Sequence, residues 1–201
     1  MGAWVDYLGT GATPPGGHYL VALATGATAG LTANQAILTW RWSDASHLLV
    51  LLNCKVSANV NTAYDAAQMI DAALWVNRSW STAPSGGTTV VFKPNENQVR
   101  DVGGSMAPLQ SFGSTCQVAT TGALTTGTRV KDTYPIGYAQ FNNSNALGNS
   151  AEVDIYNTVY GLDHPLMLGS NQGIEVTVPT AQGSTGKTVY YITLRVAVVP
   201  A

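Results

Sequence analysis

The sequence predicts an all-β, antiparallel β-sandwich on three observations: apolar runs of strand length recur along it, turn clusters separate them, and the final run alternates between two faces. From His18 onward HYLVALA gives way to TGATAG and then to AILTWRW, in which Leu38, Trp40 and Trp42 alternate with Ile37, Thr39 and Arg41. HLLVLLNCKV, starting at His47, is apolar nearly throughout, as a strand covered on both faces should be. The clusters APSGG, TTGALTTGT, NNSNALGNS and AQGSTGK then set apart the runs TTVVF, TCQVAT, PIGYAQF, EVDIYNTVY, QGIEVTV and TVYYITLRVAVV. In the last run Tyr190, Ile192, Leu194, Val196 and Val198 share the face expected to meet the core, and Val189, Tyr191, Thr193, Arg195 and Ala197 share the other. About nine or ten strands at this spacing, with no βαβ alternation, fit an antiparallel sandwich of jelly-roll type.

One segment, YDAAQMIDAALWVN, is ambiguous, because Ala66, Met69, Ile70, Ala73 and Leu74 also fall at helical spacing. A strand from about Met69 is the expectation, with Ile70, Ala72, Leu74 and Val76 on one face, since a turn cluster follows directly at TAPSGG.

The chain of 201 residues is long enough to bury a core without a metal or a disulfide. No internal repeat or linker divides it, so residues 18–201 are expected to form one domain. Residues 1–17 read differently: Gly9, Gly11, Pro14, Pro15, Gly16 and Gly17 forbid a helix and disfavour a central strand, leaving an extended arm. Trp4, Val5, Tyr7 and Leu8 are costly to leave in water and are the candidate partner-binding residues.

Charged residues make up only 10% of the chain, against about 25% in an ordinary soluble domain. The surface must be covered by small neutral polar groups, which repel neighbouring copies weakly and suit dense packing. A net charge of −2 with scattered Lys and Arg offers no basic stripe, so nucleic acid is not an expected partner. The start MGAWVDYLG lacks the pattern of a signal peptide, Asp6 stands where a myristoylation signal needs Ser or Thr, and the run Leu48 to Leu52 is too short to span a bilayer. Synthesis in a cytoplasm, with no membrane partner, is the expectation.

Reactive chemistry finds little support. A glycosidase needs two carboxyl groups facing each other across a sugar, and Glu152 and Asp154, with Asp163 further on, are the nearest approach to such a pair. They read as a solvated strand face. His18, His47 and His164 lie far apart and in no spacing that puts two imidazoles on one metal. Cys54 and Cys116 stand outside any C-x-x-C pair and read as reduced, partly buried small hydrophobes. No nucleophile elbow, Walker loop or dinucleotide-binding glycine pattern occurs, so no catalytic residue, cofactor or metal is assigned. Trp40, Trp42, Trp75 and Trp80 fall in strand patterns and are expected in the core.

Three stretches, ALWVNRSWSTAPSGGT, GALTTGTR and HPLMLGSNQGIEVTVPTAQGSTGKTVYYITLRVAV, together resemble a group of tailed-bacteriophage virion proteins. The resemblance spans about residues 40–199 and leaves the arm outside. It implies a capsid-associated structural protein, a decoration or cement protein that binds the outer shell and reinforces it, with the major capsid protein and further copies of itself as partners. Closed cyclic symmetry is expected of such an oligomer, and a trimer would suit the three-fold positions of a shell. The alternative is a tail or fibre component that recognises cell-surface carbohydrate, which requires exposed aromatics and polar groups converging in a groove.

Overall fold

The computed structural model describes residues 17–93, 98–100, 109–158 and 165–201. The arm, and with it Trp4, Val5, Tyr7 and Leu8, lies outside the described residues, as do Asp163 and His164. In chain order the strands are β1 (His18–Ala24), β2 (Gln35–Arg41), β3 (His47–Thr62), β4 (Gln68–Trp80), β5 (Thr88–Thr89), β6 (Gln98–Arg100) and β7 (Thr115–Val118). A short 3-10 turn at Leu109–Phe112 precedes β7. The second half holds β8 (Arg129–Lys131), β9 (Gly137–Ser144), β10 (Gly148–Asn149), β11 (Val153–Asn157), β12 (Leu166–Leu168), β13 (Gly173–Val178) and β14 (Lys187–Pro200).

These strands form two antiparallel sheets of seven, packed against each other as a β-sandwich. In the first sheet β3 is paired along one side by β14 and along the other by β12, β11 and β10 in turn, while β1 and then β6 continue beyond β14. Leu49, Val50 and Leu51 are all buried, as the apolar run HLLVLLNCKV leads one to expect, but cover on both faces does not extend along the strand: from Leu52 onward one face opens to solvent, with Lys55 part-exposed. In the second sheet the order is β5-β7-β2-β13-β4-β8, with β9 also on the free side of β4.

The alternation read in the last strand places its faces correctly, because Tyr190, Ile192, Leu194 and Val196 are fully buried and Tyr191 is 46% exposed. The ambiguous segment is strand, and Ile70, Ala72, Leu74 and Val76 line the core together. β4 lies between β13 and β9 in its sheet. In β2 the register against β13 slips between Leu38 and Ala36, so Ile37 is an extra residue and Ile37 and Leu38 are both buried.

The run TTVVF is strand only at Thr88–Thr89. Beyond it Phe92 leaves the ladder for the core and packs on Trp40, ring centroids 5.0 Å apart. Trp42 lies against Phe112 and donates Nε1–H to the His47 carbonyl at 2.8 Å. Trp75 departs from its core assignment: it sits on the outer face of β4, donates Nε1–H to Thr177 Oγ1 at 3.0 Å, and carries Lys131 Nζ 4.2 Å from its ring centroid. A one-residue step in strand parity separates it from Leu74 and Val76.

Close approach fixes several glycines, Gly137 and Gly186 among them. A Cβ on Gly137 would stand 1.7 Å from the Ile155 carbonyl oxygen, where β9 of one sheet passes β11 of the other. A Cβ on Gly186 would stand 2.3 Å from the ring of buried Tyr64. In the turn before β13 the left-handed residue is Asn171, with φ of 63°, while Gly173 already belongs to the strand.

Candidate functional site

The outer face of the first sheet carries a groove of about 610 Å³. Its floor follows from strand register. One row runs Leu20, Arg195, Asn53, Asn157 across β1, β14, β3 and β11, and the next runs Thr193, Lys55, Asp154. Two irregularities in the ladders flank it: Leu52 is an extra residue in β3 opposite β14, and Ile155 is one in β11 opposite β3. Bulges bend a strand and increase its twist, which suits a concave face. Thr158 secures the first bulge, donating both its N–H and its hydroxyl to the Leu52 carbonyl at 3.1 and 2.9 Å.

Polar groups in the groove are held by one another. Asn53 Nδ2 donates to Asp154 Oδ1 at 2.8 Å and to the Tyr156 carbonyl at 3.1 Å. Among the described residues Asn53 Oδ1 finds no hydrogen-bond donor, although the residue is only 4% exposed. Lys55 Nζ lies 3.5 Å from Glu152 Oε2 and 4.0 Å from Asp154 Oδ1. The two carboxylates singled out in the sequence thus converge on one ammonium group. Sequence reasoning placed them together but missed Lys55 and Asn53, because those neighbours come from a strand some hundred residues away. Pairing Glu152→Gln with Asp154→Asn should change stability by no more than about 1 kcal/mol, the range for solvent-exposed ion pairs. Urea unfolding of the double variant measures this, and a larger loss would mean that the carboxylates support the fold.

The outer face of the second sheet holds a different cluster. Glu175 is fully buried although it points away from the core, and it accepts Arg129 Nε at 2.6 Å, Arg129 Nη2 at 2.9 Å and Asn77 Nδ2 at 3.3 Å. Lys131 Nζ adds an ion pair at 3.0 Å. Nearby Asp71 accepts the Thr180 hydroxyl at 2.7 Å and the Thr180 N–H at 3.2 Å.

No family model, curated protein or solved structure matches the chain. The remaining sequence candidates are dispersed. His18 lines the groove, whereas His47 lies in a separate corner, with Nδ1 3.2 Å from Asp44 Oδ1 and its ring edge on Phe112. Cys54 and Cys116 are free and buried in different sheets, and burial pushes both thiols well above their usual range, with Asp154 adding to the effect at Cys54. Neither is poised as a nucleophile. Among the described residues no group of three or more His, Cys, Asp or Glu side chains is placed to hold a metal.

Proposed function

We propose that this chain is a structural protein of a tailed-bacteriophage virion, a capsid decoration protein that binds the outer shell and stabilises it. The strand order carries the reading. Apart from the short pieces, β1-β14-β3-β11 in one sheet faces β2-β13-β4-β9 in the other, and we read this order as that of a jelly roll made of two Greek keys, an architecture that viral capsid domains, lectins and cupins use. Fold alone does not select a function, and the resemblance of residues 40–199 to virion proteins supplies the selection.

The distribution of charge supports the same reading. Among the described residues, eight of the scarce charges are paired within the chain, in the Lys55 and Glu175 clusters and in the Arg78 to Asp132 pair, where Nη2 lies 2.6 Å from Oδ2. Meanwhile Val130, Tyr134, Ile136 and Tyr138 expose apolar surface within the single β8 to β9 segment, Tyr134 to 78%. We assign this segment to contact with a neutral, apolar surface of the shell subunit. A joint of that kind works by burying apolar and neutral polar area. The apolar residues of the arm, Trp4, Val5, Tyr7 and Leu8, take the same assembly role toward a neighbouring copy, in a closed oligomer for which a trimer is our expectation.

The test uses shells prepared with and without the protein. Loaded shells should withstand higher temperature, and raising the salt from low to near-molar should leave the protein bound, because few ion pairs are available to be screened. Replacing Val130 and Tyr134 by Asp should cut occupancy at least about tenfold while the free protein keeps its unfolding midpoint, since both side chains stand in water. Release by moderate salt, or full occupancy by the variant, would overturn the assignment.

A further inference from the structure

The groove on the outer face of the first sheet has the chemistry of a sugar site. We propose that it binds a neutral pyranose unit of a glycan. This does not rest on the shell-binding reading, which uses the other sheet and its β8 to β9 segment.

Four features of the groove lead to this ligand. Its volume of about 610 Å³ is that of a small-molecule site, for which roughly 300–1,000 Å³ is usual. Its formal charges balance, Lys55 and Arg195 against Glu152 and Asp154, so neither a phosphate nor a polyamine gains net attraction. It offers donors and acceptors side by side, the arrangement that vicinal hydroxyls need, since each hydroxyl both donates and accepts. Asp154 is already oriented for this, because Asn53 Nδ2 at 2.8 Å and Asn157 Nδ2 at 3.4 Å hold its two oxygens. Leu20 and Leu52 supply apolar surface among these polar groups for the C–H face of a ring.

To these features of the groove β14 adds an aromatic platform. Tyr191 follows Thr193 along the outer face of β14 and is 46% exposed. Tyr191 does not itself line the groove but stands two residues from Thr193, which does, and an exposed aromatic ring added to a hydrogen-bonding groove matches the apolar faces and polar rim of a pyranose. Core packing cannot account for Tyr191, because its neighbours Tyr190 and Ile192 fill that role from the opposite face.

Saturation-transfer NMR on the full chain tests the proposal, with the methyl glycosides of glucose, galactose, mannose and N-acetylglucosamine as probes, the methyl group standing for the rest of the glycan. Glucuronic acid and glucosamine serve as charged comparators. At least one neutral glycoside should receive saturation through its ring protons. Tyr191→Ala, which removes the platform, and Thr193→Trp, which fills the groove, should each weaken binding at least tenfold with the unfolding midpoint of Tyr191→Ala unchanged. If Thr193→Trp does not fold, Tyr191→Ala decides alone. Absence of transfer to every neutral glycoside, a preference for either charged sugar, or wild-type binding by Tyr191→Ala would overturn the proposal. Shell stabilisation by Tyr191→Ala should be unaffected, so the two readings can fail separately.

Discussion

Leu194→Ala should destabilise the protein by about 2–5 kcal/mol, the range for removing a large aliphatic side chain from a packed core. Leu194 is fully buried in β14, which is paired along both edges, and stands between Val21 of β1 and Cys54 of β3, both also without exposure. All three project toward the opposite sheet, into the core that Ile174 and Val176 reach from β13. Neighbours held in two ladders cannot collapse far into the space, so the cost should fall in the upper part of the range. Tyr191→Ala, on the other face of the same strand, is the control and should shift stability by roughly 0.5 kcal/mol or less. Urea denaturation of both variants separates the faces, and equal losses would mean that the sandwich is not closed over Leu194.

This contrast shows where the sequence was legible. Alternation in TVYYITLRVAVV located a core face because the strand is covered on one side, and a period of two then has only two solutions. Alternation also marked the strand within YDAAQMIDAALWVN, whereas β1 and β13 were legible as apolar runs between turn clusters. The core assignment failed for Trp75, since an aromatic residue in a strand is expected inward unless a cation and a hydroxyl receive it outside, as Lys131 and Thr177 do. The groove was legible only in part. Glu152 and Asp154 are close in sequence and their shared face could be read, whereas Lys55, Asn53 and Arg195 reach them through pairing between distant strands. No local pattern encodes such a register, and the two bulges that shape the groove have no turn residue to announce them.

The outer face of the second sheet carries the other large expected effect. Glu175 is fully buried and takes its two positive partners, Arg129 and Lys131, from β8, a strand of only three residues. These side chains cross β4 to reach Glu175 on β13, so the ion cluster ties an edge piece to the interior of the sheet. Changing Arg129 and Lys131 together to Ala should cost about 3–5 kcal/mol, because a carboxylate shut away from water would keep only the Asn77 amide at 3.3 Å. Glu175→Ala should cost less. The two cations it leaves behind are 18% and 24% exposed and can turn toward solvent. Adding Glu175→Leu to the double variant should recover much of the loss, since Leu takes about the volume of Glu and leaves no buried charge without a partner. Thermal unfolding of the three variants gives the order directly. If the double variant loses under about 1 kcal/mol, or if Glu175→Leu fails to rescue it, the cost lies in β8 packing rather than in a stranded charge, and the cluster is an ornament of the edge rather than its anchor.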